Sequence, residues 1–416
     1  MRPTTRRTFI AGTTAAGIAS LAGCIGDDED DVDVTEADDT DIPDDDDGPD
    51  WEAGYEIWAA DQGTDIMYIY EPGDASGENF DLVDEFDLST NGGRPHMVHF
   101  TSDYEYAAVA NAAGPVIIRT ADREIVAEPE TGGGTHFAGF SPDDEWLIVD
   151  VIGDNKIVRI DVDIDEESFE VADEIVPSDE IDDIEDTQNP VCHSWDHSGR
   201  TIHTLGPAYG DGGVVIVDQD TFEIDVAWPG EDLPANCGTI PHPDEDKFYL
   251  TAGAPSDPDE GVEGAGEYYV LDTAADEILV EGDTAGVDAH GFWYTTDGEE
   301  LWVLNRETND GVIIDPDSDD VVDEIDAYGP DEDDAPDILW GTPDGQHMIV
   351  TLRGDEPVTG DPHAATGVNP GFAVLDVETR DVITNVVPDD DDPASDFHGI
   401  GIKPLVDADG LTSPPF

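Results

Sequence analysis

Histidines recur at one position of a repeated sequence pattern. His96, His136 and His290 each lie seven residues before an aspartate at a predicted turn, and the same count reaches Cys237 and Asp337 in two further repeats. Imidazole nitrogens and cysteine thiolates are ligands that zinc and copper favour, whereas calcium and magnesium prefer oxygen. These positions therefore predict a transition-metal site, provided that the fold brings them together.

Two more histidines extend this set. His398 holds the corresponding position in the last strand pattern, and His193 lies two residues after Val191, which the same count reaches in another repeat. Residues two apart in a strand face the same side, so we expect His193 to join the others. The predicted metal-binding set is His96, His136, His193, Cys237, His290, Asp337 and His398. The alternative remains that these histidines line a hydrated channel and hydrogen bond to neighbouring strands.

The cysteines offer a second kind of chemistry. Cys192 and Cys237 are predicted at the starts of first strands in neighbouring repeats, where their Cα atoms fall within about 7 Å, the reach of a disulfide. We therefore predict that they form one. A disulfide would remove Cys237 from the metal-binding set, whereas two reduced thiols would favour copper(I) or zinc.

Two arginines stand out in a chain with only 14 lysines and arginines. Arg306 and Arg353 each follow a predicted second strand, in adjacent repeats. They are expected on the same face of the fold as the metal-binding set. They would suit an anionic ligand at the mouth of the site. The alternative is that each pairs locally with some of the many carboxylates.

The elements that must position these residues are short strands in units of four. Turns such as 141–145 and 295–300 precede an apolar run, and a third run ending in aspartate and a fourth alternating run follow. Six such turns lie between Thr101 and Gly345, which predicts six complete units. The seventh unit is predicted to combine both ends of the chain. Residues 397–404 resemble a first strand that no second, third or fourth strand follows. Residues 55–86 resemble the second, third and fourth strands of a unit that has no first strand before them.

These units resemble the YVTN-type β-propeller repeat. The residues that carry the resemblance are Pro95-His96, Ser141-Pro142-Asp143, Val303-Leu304-Asn305 and Val374-Leu375-Asp376 with Thr379. The resemblance implies an all-β, seven-bladed β-propeller of four-stranded blades, closed by pairing of the C-terminal strand with the N-terminal strands. In such a ring the first strand of each blade lines the central channel, so the metal-binding set is expected at one mouth of that channel.

The charge of the chain is extreme. It carries 104 aspartates and glutamates against 14 lysines and arginines, a formal net charge of -90. Molar salt shortens the Debye length to about 3 Å and screens the repulsion between these carboxylates. The composition therefore resembles that of proteins from extreme halophiles. Nucleic acid and anionic lipid headgroups are excluded as partners of this surface.

The first 50 residues predict export and anchoring. The pattern Thr5–Ile10 with Arg6-Arg7 resembles a twin-arginine signal, and Leu21–Cys24 resembles a lipobox. We predict a signal over residues 1–23, lipid on Cys24, and an acidic disordered linker over 24–50 that holds the domain away from the outer face of the cell membrane. The propeller is predicted over 51–405, followed by a tail over 406–416.

Three functions remain open. The first is a monomeric, surface-anchored binding protein that holds zinc or copper and serves an envelope protein or transporter component. The second is an enzyme at the same channel mouth, either a copper oxidoreductase or a lactonase-like hydrolase. The third is a protein interaction scaffold without a cofactor. The sequence favours the first, and no nucleophile elbow or phosphate-binding loop supports an enzyme of those kinds.

Overall fold

The protein is an all-β propeller of seven four-stranded antiparallel blades. The computed structural model describes residues 54–73, 76–207, 212–257, 261–360, 364–388 and 392–405. The predicted fold class, blade number and ring closure are confirmed. The predicted signal, linker and tail, as well as Cys24, lie outside the described residues.

Each blade is named here from its inner strand outward. The closing blade consists of β28 (Phe397–Pro404), β1 (Tyr55–Asp61), β2 (Ile66–Pro72) and β3 (Phe80–Asp87). The next three are β4 (Val98–Phe100), β5 (Tyr106–Asn111), β6 (Gly114–Arg119), β7 (Glu124–Ala127); β8 (Thr135–Phe140), β9 (Trp146–Val151), β10 (Lys156–Asp163), β11 (Ser168–Ile175); and β12 (Gln188–Trp195), β13 (Arg200–Pro207), β14 (Gly213–Asp218), β15 (Glu223–Pro229).

Three further blades complete the ring. They are β16 (Thr239–Pro241), β17 (Lys247–Ala254), β18 (Ala265–Asp272), β19 (Glu277–Asp283); β20 (Ala289–Tyr294), β21 (Leu301–Asn305), β22 (Asp310–Asp315), β23 (Asp320–Ile325); and β24 (Pro336–Gly341), β25 (His347–Leu352), β26 (Gly371–Asp376), β27 (Val382–Val386). One helical turn, α1 (Pro177–Glu180), connects two blades. Within the described part of the chain, no helix is long and apolar enough to cross a membrane.

The ring closes through the pairing of β28 with β1. These strands run antiparallel, with Tyr55 opposite Pro404 and Ile57 opposite Ile402. The last strand of the chain is therefore the inner strand of the first blade. Among the described strands this pairing leaves no blade incomplete, so no inner strand there is unpaired at the channel.

The repeated turn has one hydrogen-bonding pattern. Thr101 donates its hydroxyl hydrogen to Asp103 at 2.8 Å, and Thr295 does the same to Asp297 at 2.7 Å. The aspartate oxygen also accepts from a backbone N–H two residues later, as in Glu105 to Asp103. The turn connects the first and second strands of a blade. Because its geometry is fixed, the position that faces the channel lies at the same number of residues before the turn in each inner strand.

The core lies between blades. Second strands such as β5, β21 and β25 are buried at every residue, since both faces of each sheet pack against a neighbouring blade. The outermost strands are largely exposed, as in β3 and β23. Inner strands of successive blades contact one another around the channel. This packing holds the inner strands rigidly in a ring.

Candidate metal centre at the channel mouth

Six of the seven positions reached by the seven-residue count line one cavity. The cavity has a volume of about 260 Å³, and its walls include the side chains of His96, His136, Val191, Cys237, His290 and His398. Four members of the set, His136, His290, Asp337 and His398, lie at register shifts of their inner strands. A β-bulge turns a side chain out of the regular alternation, which explains why these groups reach the channel.

Three imidazoles converge on one point. The ligand nitrogens of His96, His136 and His398 all lie within 4.8 Å of one another. The ring centroids are 4.8 Å apart for His96 and His136, 4.9 Å for His96 and His398, and 5.3 Å for His136 and His398. Zinc and copper bind imidazole nitrogen at about 2.0–2.1 Å, so small side-chain movements would bring all three to one ion.

The outer ring nitrogens of these histidines face fixed acceptors. The Nδ1–H of His96 donates to the carbonyl oxygen of Arg94 at 3.2 Å, and that of His136 to the carbonyl oxygen of Val191 at 3.1 Å. Nδ1 of His398 lies 2.9 Å from Oδ2 of Asp337, although the two are not aligned for a hydrogen bond. A proton on Nδ1 leaves the Nε2 lone pair free, as in known metal sites.

Two further observations fit a metal ion at this point. Nε2 of His96 is buried and has no hydrogen-bond partner. Burial, helped by the neighbouring His136 and His398, holds the pKa of His96 well below its usual value. Burial also lowers the pKa of His136 to about 4, again with a contribution from His398. Both rings are therefore neutral at pH 7, which is the state that binds metal.

Asp337 lies behind the histidines. Its carboxylate is fully buried and contacts Nδ1 of His290 at 2.8 Å and Nη1 of Arg353 at 2.6 Å. Burial alone would raise the pKa of Asp337, but His398, His290 and Arg353 hold it well below its usual value. Its oxygens are thus engaged by four side chains, the fourth being Arg306 at 3.3 Å. The carboxylate orients imidazoles and does not line the cavity with the other members of the set.

Arg306 and Arg353 contact carboxylates rather than an open ligand site. Arg306 pairs with Asp288 at 2.8 Å, and Arg353 makes a two-pronged contact with Asp396 at 2.7 and 2.9 Å. Both arginines are almost completely buried. Local pairing, the alternative that the sequence left open, is therefore the arrangement that the structure contains. The arginines border the cavity, but their charges are already compensated by aspartates.

The predicted disulfide is absent from the structure. Cys192 and Cys237 are buried free thiols that pack in one small cluster. Sγ of Cys237 lies 3.0 Å from Nε2 of His290. Nε2 of His290 therefore contacts a thiol, whereas in His136 it is Nδ1 that lies near a thiol, 3.7 Å from Sγ of Cys192.

His193 does not join the other histidines. The register of β12 shifts between Pro190 and His193, so Val191 lines the upper cavity whereas His193 lines a smaller cavity of about 90 Å³ deeper in the channel. The expectation from simple two-residue alternation was wrong because of this bulge. Nδ1 of His193 lies 2.6 Å from Oδ2 of Asp150, and Nδ1 of His203 lies 2.7 Å from Oδ1 of the same carboxylate.

This second cluster shows what sequence reasoning missed. His203 lies on the second strand β13 and is fully buried, and His242 and His347 are also buried. The available signal was Asp150, a carboxylate inside the apolar run of β9. A charged group at such a position needs a buried partner, and the two histidines supply it.

The comparisons with known proteins support the fold alone. The sequence matches no protein-family model and no curated protein. Among solved structures, the dihydro-heme d1 dehydrogenase NirN in complex with DHE superposes with a TM-score of 0.52 at 13% identity, covering 83% of this chain and 74% of NirN. Kuenenia stuttgartiensis hydrazine synthase also has a TM-score of 0.52, at 14% identity, covering 73% of this chain and 94% of its own.

Proposed function

We propose that the protein is an extracytoplasmic binding protein that holds a zinc or copper ion with His96, His136 and His398. The observation that carries this proposal is the approach of three imidazoles, two buried and one half-buried, with ligand nitrogens within 4.8 Å of one another and the outer nitrogens of two of them donating to backbone carbonyls. A carboxylate faces the outer nitrogen of the third. Nitrogen ligands of this kind suit zinc and copper better than magnesium or calcium.

An ion fits this site better than a macrocyclic cofactor. NirN is named for a complex with a haem-type ligand, but here three imidazoles have ligand nitrogens within 4.8 Å of one another. The iron of a planar macrocycle offers only two axial positions, on opposite faces. The cavity of about 260 Å³ is also smaller than the roughly 300–1,000 Å³ of sites that enclose drug-sized ligands.

Export and anchoring are part of the proposal. The twin-arginine pattern with Arg6 and Arg7 and the lipobox ending in Cys24 support passage across the membrane and lipid attachment on its outer face. The acidic segment 25–50 would separate the propeller from the membrane. The surface charge supports a salt-rich environment, and a partner in the cell envelope would receive or deliver the metal.

Metal analysis of the full chain tests the proposal. Protein exported by a host that grows in molar salt is expected to contain about one zinc or copper ion per chain, and the variant with His96, His136 and His398 all changed to Gln is expected to contain none. His197→Gln is the matched control, because this exposed histidine lies on a turn outside the cavity. Metal-free wild-type protein that takes up neither ion would overturn the proposal and favour a scaffold.

An enzyme at the same site is the second candidate. Three protein ligands leave a coordination position open, and here that position faces a cavity. A bound ion would supply Lewis acidity or electron transfer, while Asp337 keeps the imidazoles oriented. Oxidation of an electron donor by the copper-loaded chain, or lactone hydrolysis by the zinc-loaded chain, would establish activity if the triple Gln variant lacked it and His197→Gln retained it.

A further inference from the structure

Three side chains other than the proposed metal ligands His96, His136 and His398 form a linear chain of contacts. Sγ of Cys237 lies 3.0 Å from Nε2 of His290, and Nδ1 of His290 lies 2.8 Å from Oδ1 of Asp337. The Nδ1 atom also lies 3.1 Å from the carbonyl oxygen of Asp337. A sulfur nucleophile, an imidazole and an orienting carboxylate in this order form the arrangement that activates a thiol.

The charges of this triad agree with its geometry. The neighbouring Cys192 and the nearby His290 hold the pKa of Cys237 well below its usual value, although burial opposes them. Burial works to lower the pKa of His290, but Cys237 and Asp337 outweigh it and raise the pKa to about 10. The pair is therefore a thiolate and an imidazolium at neutral pH, and the thiolate is the reactive form of cysteine.

A second thiol stands beside the first. Cys192 packs in the same buried cluster as Cys237, and the hydroxyl of Thr204 lies 3.3 and 2.9 Å from the backbone carbonyl oxygens of the two residues. Only Cys237 contacts the imidazole of His290, so it is the thiol that reacts first. Cys192 lies beside it and is in place to attack an oxidised Cys237.

Access to Cys237 selects small reactants. The residue is only 4% exposed, and it borders both the cavity at the channel mouth and the smaller one below it. A protein disulfide cannot enter a cavity of about 260 Å³. A hydroperoxide of a few atoms fits, and its O–O bond is a substrate for a thiolate.

We propose that Cys237, His290, Asp337 and Cys192 form a redox-active dithiol that reduces small hydroperoxides. The Cys237 thiolate attacks one peroxide oxygen, the O–O bond breaks, and the leaving oxygen takes the Nε2 proton of His290. This step produces a sulfenic acid on Cys237 and, from hydrogen peroxide, one water. Cys192 then attacks the Cys237 sulfur, which forms the disulfide and releases a second water. Two molecules of a low-molecular-weight thiol restore the dithiol and leave as their disulfide.

The chemistry does not depend on the metal proposal, so it is tested on the chelator-treated full chain. Reduced protein mixed with one equivalent of hydrogen peroxide is expected to lose two thiols and gain one disulfide, which peptide mass spectrometry assigns to Cys192 and Cys237. Cys192→Ser is expected to stop at the sulfenic acid, which dimedone labels at Cys237. Cys237→Ser is expected to leave Cys192 unmodified on the same timescale.

The role of His290 is tested by the rate. His290→Gln is expected to slow the reaction with hydrogen peroxide about 100-fold, the usual contribution of a proton donor in the transition state, whereas His197→Gln leaves the rate unchanged. A second test uses wild-type protein, so that no folding defect of a variant can affect the result. Iodoacetamide at pH 6 is expected to label Cys237 far faster than Cys192. Oxidation no faster than that of free cysteine, or equal labelling of the two thiols, would overturn the proposal.

Discussion

Nη1 of Arg353 lies 2.6 Å from Oδ2 of Asp337, and neither side chain is exposed to solvent. The same guanidinium binds both oxygens of Asp396, so one arginine pairs with two carboxylates from neighbouring blades. Asp337 in turn contacts His290 and faces His398. The arginine therefore supports both the proposed metal site and the thiolate triad without taking part in either.

Removing this arginine should destabilise the protein strongly. Arg353→Ala leaves Asp337 and Asp396 buried without their main counter-charge, and loss of one partner of such a pair costs about 3–5 kcal/mol. Urea unfolding at fixed molar salt measures the free energy of unfolding. Arg380→Ala is the control, because its pairing with Glu300 is partly exposed and is expected to contribute about 0–1 kcal/mol. Equal effects of the two substitutions would contradict the buried network.

Bound metal should stabilise the fold by mass action. Zinc held at a free concentration 100 times its dissociation constant is expected to raise the free energy of unfolding by about 2.7 kcal/mol. The triple Gln variant of His96, His136 and His398 should gain nothing, because it lacks the ligands. Thermal or urea unfolding with and without zinc gives the comparison, and stabilisation of the triple variant by zinc would place the ion elsewhere.

Salt should raise the stability of the chain. With a formal charge of -90, the compact state suffers strong carboxylate repulsion at low ionic strength. The Debye length falls from about 8 Å at 0.15 M salt to about 3 Å at 1 M. The midpoint of thermal unfolding is therefore expected to rise steadily between 0.15 M and 3 M potassium chloride. A midpoint independent of salt would show that the acidic surface does not limit stability.

The buried cluster around Asp150 should make stability depend on acid pH. Burial lowers the pKa of His203 below its usual value, even though Asp150 acts in the opposite direction. As the pH falls through about 6.5, the unfolded chain binds a proton at this residue before the folded chain does, so stability decreases. Above about pH 7.5 His203 is unprotonated in both the folded and the unfolded chain, so this loss of stability is absent. In His203→Gln the decrease between pH 7 and pH 5 is expected to be smaller than in wild type, as measured by urea unfolding at both values.

The sequence alone was sufficient for the architecture, and the reason lies in short-range chemistry. Turns such as 101–106 and 295–300 contain the Thr-x-Asp hydrogen bonds that fix a tight connection, and apolar runs such as β21 and β25 can be buried only between two sheets. These signals repeat along the chain. The strand at 397–404 lacked local partners, so its pairing with β1 was also predictable.

The same repeat located the positions at the channel but not their contacts. The seven-residue count reached His96, His136, His290 and His398, because the turn sets the same spacing in several blades. The β-bulge in β12 could not be recognised from the sequence of that strand alone. Because of this bulge, His193 contacts Asp150 rather than the other histidines. Bulges depend on pairing with the neighbouring strand, which a single strand pattern does not record.

Only the tertiary structure decided which groups share a site. His290 has the same sequence context as His136, yet it contacts Cys237, whereas His136 faces His96 and His398. Likewise, Arg353 and Asp337 lie in one blade, but Asp337 pairs with His290 from the blade on one side and Arg353 pairs with Asp396 next to the blade on the other. The sequence determined the blades, their closure and the channel positions through local patterns. The assignment of partners required the ring itself, because hydrogen bonds and ion pairs between blades depend on distances across the channel.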